Sequence, residues 1–275
     1  MKRKIAILFH EKARAQPLNY LINLYAEFWR EDGHEVFLLF GVSDFVPADL
    51  IIVHVDLSVV PDEYLAFAKR YPIILNGEVK DIRKSTFSRL LVTPGDPYAG
   101  KVIVKSNYNY AAIPERVLGV PLDPNGVSQS FFGSPLDYQI FENLKAVPPL
   151  LFTDPNVVVE KFLPETEDRL YFTRILLFLG NHMSCTRVAS QNPIVNTASQ
   201  LRSEFVEPHP EIMRLRKAMK FDFGKFDYVI HEGQVLLLDA NKTVGAPNLP
   251  SIPARMTDRR FRAEGLYAFF EGARQ

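Results

Sequence analysis

Apolar residues in this chain fall in short runs separated by polar punctuation. Lys4–Phe9 (KIAILF), Glu35–Phe40 (EVFLLF) and Leu50–Val55 (LIIVHV) are near-continuous apolar runs, the pattern of strands covered on both faces. Between the first two, LNYLINLYAEFWRED has helical spacing, with Pro17 before it and Gly33 just past its end. Pro61–Arg70 predicts a second helix, with Tyr64, Leu65, Phe67 and Ala68 apolar, and Ile73–Leu75 a further strand. Strands alternating with helices predict a parallel α/β unit over residues 1–77.

The pattern then changes. Lys80–Leu91 reads as a helix and Val102–Lys105 as a strand, and residues 106–134 are rich in Gly, Pro and Asn and read as a loop. Leu136–Val147 reads as a helix and Val157–Phe162 as a strand. Leu170–Leu179 and His182–Ser190 read as strands joined at Gly180-Asn181, and Asn192–Glu207 as surface loop. Pro210–Met219 is predicted helical, with Ile212, Leu215 and Met219 on one face, and Thr257–Glu271 reads as a closing helix.

Phe221–Gly245 (FDFGKFDYVIHEGQVLLLDANKTVG) reads as a β-hairpin. A three-residue loop, Glu232-Gly233-Gln234, sets His231 opposite Val235, Val229 opposite Leu237 and Asp227 opposite Asp239, with Asn241 on the same face. Facing carboxylates repel and call for a cation; with the Asn amide they form an oxygen-only donor set that suits Mg²⁺. A two-residue loop instead puts the aspartates on opposite faces. The hairpin is then an ordinary one with aspartates in solvent.

Composition narrows the function classes. In 275 residues, 32 Lys and Arg balance 32 Asp and Glu, so no global charge favours nucleic acid or an anionic membrane. No apolar run approaches a membrane span, and the first residues lack a leader's cleavage site, so a cytoplasmic protein is expected. The single Cys185 excludes disulfide scaffolds and cysteine-based zinc sites, and reads as a small buried apolar residue.

Several motifs fail. Gly95–Val102 nearly spells a P-loop, but Val102 stands where Ser or Thr must hold Mg²⁺, and the segment leads into a strand. There is no GxGxxG, GxSxG or HExxH, and the six histidines are scattered. What holds is an ordered series: VIVK ending at Lys105, VVVEKFLPE around Glu160, Arg174 in YFTRILLF, then GKFDYVIHEGQVLLLDANKTVG. In these blocks the chain resembles the ATP-grasp superfamily, from about residue 76 to 245.

The resemblance implies an α/β and α+β architecture: a Rossmann-like domain at 1–77, then a two-subdomain ATP-grasp domain at 78–275 with a lid at about 93–160. It implies ATP with Mg²⁺, Mn²⁺ being an alternative, and a metal set of Asp227, Asp239 and Asn241. Lys84 and Lys105 match the lysines that touch phosphates, although Lys84 taken alone would read as a solvated helix lysine. Glu160, Lys161, Phe162 and Leu163 match the hinge that receives adenine, and Glu167 or Asp168 would take the ribose hydroxyls. Arg174 matches an arginine at the transferring phosphate and, with Lys105, would be catalytic; in an apolar strand it needs an anionic partner. The implied activity is ligation, in which a small carboxylate is activated as an acyl phosphate for attack by an amine or thiol. A kinase and a non-catalytic nucleotide-binding module are alternatives. Ala111 and Ala112 stand where many members carry paired lid glycines, which favours the module. Arg169, Arg187 and Arg202 are candidates for an acidic substrate. A homodimer is compatible with the chain.

Overall fold

The computed structural model describes residues 1–16, 19–126, 138–196, 198–246 and 253–272. The first sheet is parallel throughout. Strand β1 (Lys4–Phe9) is followed by helix α1 (Leu21–Glu31), β2 (Glu35–Phe40), β3 (Leu50–Val53), α2 (Asp62–Ala68) and β4 (Ile74–Leu75), in the spatial order β2-β1-β3-β4. Ile5–Leu8 and Leu50–Val53 are fully buried, as continuous apolar runs require. Pro17, the expected helix opener, lies outside the described residues.

The predicted helix Lys80–Leu91 survives only as α3 (Lys84–Phe87). Its flanks are claimed by tertiary partners: Asp81 bridges Val59, Leu91 bridges Glu160, and the Ile82 amide donates to Ser58 O. A three-stranded antiparallel sheet follows, built from β5 (Val102–Ser106), β6 (Gln139–Phe141) and β7 (Val157–Lys161), with β5 central. Between β5 and β6 lies the short helix α4 (Ile113–Val117). The helix expected over Leu136–Val147 is replaced, within its described part, by β6 and a 3-10 turn at Leu144–Ala146. Ile140 and Phe141 pair with Ile103 and Val102, and the Asn143 side chain caps the turn through Ala146 N. Residues 127–134 of the expected loop, and Leu136 and Asp137 of the helix, lie outside the described residues.

The third sheet is antiparallel and six-stranded. It comprises β8 (Glu165–Glu167), β9 (Leu170–Leu179), β10 (His182–Ser190), β11 (Gln200–Val206), β12 (Phe223–His231) and β13 (Gln234–Asn241), ordered β11-β10-β9-β12-β13 with β8 on β9. Helix α5 (Pro210–Ala218) precedes β12. The segment expected as surface loop thus contains β11, whose residues are almost all exposed and give no burial pattern to read. The closing helix is two, α6 (Pro253–Glu264) and α7 (Tyr267–Gly272). The chain breaks at Gly265, where an added Cβ would lie 2.0 Å from Leu179 O. Among the described residues no helix is long and apolar enough to cross a membrane.

Two local devices fix the sheets against each other. Asn76, fully buried and at φ 57°, accepts from the amides of Asp222 and Phe223 at 2.9 and 3.1 Å and donates to Phe223 O at 2.9 Å. Its own amide donates to the Asp222 carboxylate at 2.7 Å. It thereby ties the end of β4 to the start of β12. The second device is a run of three left-handed residues, Tyr110, Ala111 and Ala112, at φ 45°, 55° and 59°. The run is held on both sides by Ser58, whose Oγ accepts from Asn109 N and whose amide donates to the buried Glu115 carboxylate. Arg116 donates to Ala111 O.

Replacing Asn76 with Ala leaves buried amides without acceptors. It is expected to cost about 3 kcal/mol in urea unfolding, and a cost below about 0.5 would contradict the tie. Ala112→Gly removes a Cβ from a left-handed position and is expected to raise stability by about 0.5–1 kcal/mol, net of glycine's entropy. A destabilised Ala112→Gly protein would show that the strain relieved is smaller than the lost burial of the Ala112 methyl and glycine's entropy together.

Candidate functional site

The hairpin of β12 and β13 builds the site. Its turn has two residues, Glu232 at φ 47° and Gly233 at φ 80°, the positive pair that a tight hairpin twist demands. His231 therefore faces Gln234 and Val229 faces Leu236, not the partners of a three-residue loop. Continued unbroken, that register would put the two aspartates on opposite faces. It is not continued: Tyr228 faces Leu237, Asp227 faces Asp239, and Leu238 is left as an extra residue. This β-bulge brings the carboxylates to one face by a route the sequence reading did not contain.

The bulge has a second consequence. The Leu238 carbonyl accepts from Lys105 Nζ at 3.1 Å, and the same ammonium lies 2.7 Å from the buried Glu160 carboxylate. Lys105 belongs to β5 and Glu160 to β7, so one lysine clamps the three-stranded sheet to the hairpin. Lys84, on α3, lies 2.9 Å from Asp239 Oδ1 and donates to Tyr108 O at 3.1 Å. It is buried, not the solvated lysine that helix position alone suggested. Lys225 donates to Asp227 Oδ2 at 2.7 Å. Sequence reading missed Lys225, although its place two residues before Asp227 on one strand was a signal for a shared face.

The three lysines thus pair with three carboxylates in a partly buried cluster. Burial pushes the Asp227 carboxyl above its usual range; Lys225 opposes the shift and Asp239 adds to it. Burial works against the Lys84 ammonium, yet Asp239 together with Tyr138 and Glu160 outweighs it and the net shift is upward. The same holds for Lys225 with Asp227 and then Asp239. The buried Asp227 Oδ1 has no hydrogen-bond partner among the described residues. Asn241 shares the cavity with both aspartates, its Oδ1 accepting from Thr243 N at 2.7 Å. Among the described residues no three His, Cys, Asp or Glu side chains cluster to hold a metal unaided. Two carboxylates, one with an uncommitted oxygen, and an amide fit a hard cation that brings further oxygen ligands with it.

Three cavities meet here. The first is an apolar slot walled by Leu90, Ile103, Val229 and Leu238 and edged by Glu160–Leu163, with Lys84, Lys105 and both aspartates at its mouth. The amides of Lys161 and Phe162 are spent on Leu90 O and Lys101 O, at 2.8 and 2.9 Å. The second cavity shares the aspartates and adds Lys225, Asn241 and Tyr110. The third shares Lys225, Asn241 and Tyr110 and runs to Tyr20 and Asp56 at the parallel sheet. There Tyr20 and Thr243 both donate to the Asp56 carboxylate, whose pKa burial raises.

Other predicted residues lie elsewhere. Arg174 faces Tyr228, whose side chain points away from the face that carries Asp227. The anionic partner it needs is Glu165, bound through Nε and Nη2, each at 2.9 Å. Burial pushes the Glu165 carboxyl up, but Arg174, the Ile230 amide and Arg187 outweigh it and hold it below the usual range. Arg174 is thereby committed to a link between β8 and β9. Glu167 is exposed and paired with Arg187, at 2.6 Å; Asp168 and Arg169 form the exposed turn beyond it, at φ 50° and 64°. Neither Glu167 nor Asp168 lines the three cavities.

No family model matches the chain, and no characterised protein matches it in sequence. Solved structures do match. A RimK domain ATP-grasp protein from Sphaerobacter thermophilus superposes with a TM-score of 0.50 at 13% identity, covering 96% of this chain and 99% of that one. D-alanine–D-alanine ligase from Bacillus anthracis gives 0.49 at 11% identity, covering 99% and 97%, and D-cycloserine synthetase gives 0.48 at 12%, covering 96% and 99%. By its near end-to-end match to the RimK-domain structure, the chain has the ATP-grasp fold.

Proposed function

We propose that this protein is an ATP-dependent ligase that activates a small carboxylate as an acyl phosphate for capture by an amine or thiol. The observation that carries the reading is the facing pair Asp227–Asp239, set by the bulge at the mouth of the apolar slot and ringed by Lys84, Lys105 and Lys225. The slot suits a flat, largely apolar base. With the Lys161 and Phe162 amides engaged, such a base would meet the carbonyls of the stretch and the Leu163 amide. The charged mouth suits a polyphosphate, for which lysine ammonium groups are compact partners.

The six charges form three pairs, Lys84–Asp239, Lys105–Glu160 and Lys225–Asp227. Nucleotide entry would exchange partners: Lys84 would turn to phosphate oxygens, Lys105 would reach one through its remaining N–H while keeping Glu160, and Asp227, Asp239 and Asn241 would turn to Mg²⁺, with Mn²⁺ an alternative. The cation, when bound, would neutralise charge developing on the transferred phosphoryl group. Lys225, which links the second and third cavities, would hold the acceptor carboxylate near that group. The carboxylate oxygen attacks the γ-phosphorus, ADP leaves, and the amine or thiol then displaces phosphate from the acyl carbon. With Arg174 committed to Glu165 on the other face, charge neutralisation falls to the lysines. That commitment is also the observation favouring a second reading, a nucleotide-binding module without turnover.

Calorimetry should show Mg·ATP binding weakened by at least about tenfold in Asp239→Ala. Unchanged affinity in that variant would remove the aspartates from the metal site. With Mg·ATP, a broad pool of carboxylic acids and hydroxylamine, the ligase should release ADP and phosphate and yield a hydroxamate, and Lys105→Ala should suppress both. A stable phosphorylated product without hydroxamate would identify a kinase. Tight nucleotide binding with no ADP above background across the pool would establish the non-catalytic module.

A further inference from the structure

Strand β11 forms the outer edge of the six-stranded sheet, pairing only with β10 among the described residues. Its sequence, QLRSEFV, is exposed on both faces, and it presents two large apolar side chains to solvent, Leu201 at 57% and Phe205 at 63% exposure. An open edge of this kind is a template for another strand, and proteins usually blunt it with proline, bulges or lysines that repel a second copy. Here the charges have opposite signs and sit symmetrically about Ser203. Turn a second β11 antiparallel to the first about Ser203 and Arg202 faces Glu204, twice, on one face. Leu201 is the extra residue of a bulge, where Ala189 faces Arg202 and Ser190 faces Gln200, so the unbroken edge runs over residues 202–206 and Phe205 of each copy lies against the other's bulge. A one-residue slip would set Arg202 opposite Ser203 and lose both Arg–Glu pairs, so the charges specify the register as well as the pairing.

From this self-complementarity we infer that two copies of the chain pair through β11, antiparallel about a two-fold axis at Ser203, joining their six-stranded sheets into one. Arg202 makes no ion pair among the described residues, and Glu204 has only a loose one with Arg187, at 3.5 Å. Both are therefore available to a partner. The pairing supplies the unused edge amides and carbonyls with partners and covers the two exposed apolar side chains. It uses a surface separate from the three cavities' aspartates and lysines, so it stands independently of the ligase reading.

Sedimentation velocity over a concentration series tests it. The wild type should show a reversible monomer–dimer equilibrium. R202E sets like charges face to face twice, as does E204R, and each should raise the dimer dissociation constant by at least about tenfold. The double reversal R202E/E204R restores opposite charges and should restore the dimer. An equimolar mixture of the two single variants should also associate, as a heterodimer, which neither does alone. Unchanged melting temperatures would confirm that the single variants are folded. A wild type that stays monomeric throughout would overturn the inference, as would a dimer indifferent to both single reversals. A monomer that binds an added extended peptide at this edge would assign β11 to a foreign strand and equally overturn self-pairing.

Discussion

A single extra residue in β13 decides the chemistry of this site. Without the bulge at Leu238, the two-residue turn would send Asp239 to the face opposite Asp227, and the carboxylate pair would not exist. The same bulge turns a carbonyl out of the ladder toward Lys105, and through Lys105 the hairpin engages Glu160 and the three-stranded sheet. The pairing of charges and the seating of one subdomain on another thus rest on one irregularity. It persists because both of its products, a facing carboxylate and a free carbonyl, are met by buried ammonium groups.

Those buried pairs are costly as structure and useful as a receptor. Two desolvated charges gain little net stability from each other, but removing one partner leaves the other stranded. A ligand that brings phosphates and a cation would replace the partners of Lys84, Asp227 and Asp239, and a substrate carboxylate that of Lys225, while Lys105 keeps Glu160. Asp227 shows the bias: burial and the nearby Asp239 push its carboxyl up, so a divalent cation would find the pair already strained toward accepting positive charge. The left-handed run Tyr110–Ala112, which places Tyr110 where the second and third cavities meet, is a further unfavourable feature kept beside the site.

Much of this was legible in the chain, and the failures have causes. Continuous apolar runs located β1 and β3, because burial on both faces leaves no other composition. The aspartate pair was found through an incorrect loop. The two-residue turn was the stated alternative, with Glu232 atypical in a left-handed position, but Leu238 hides in the run LLL, so the bulge could not be read. β11 was missed because an all-exposed strand carries no alternation of burial. Arg174 was recognised as needing an anion, but its partner, Glu165, comes from a strand pairing that no local pattern announces. Taken alone Lys84 read as solvated, because helix periodicity could not foresee Asp239 and Tyr108 O converging on it.

The central claim is that Asp227 and Asp239 form the cation end of a nucleotide site. Its most direct test is anomalous diffraction from crystals soaked with Mn²⁺ and a non-hydrolysable ATP analogue. The account predicts a manganese peak beside Asp227 and Asp239, with Lys84 moved from Asp239 to phosphate oxygens and Lys225 released from Asp227. A bound analogue with no metal between the aspartates, and with the Lys84–Asp239 and Lys225–Asp227 pairs intact, would contradict it.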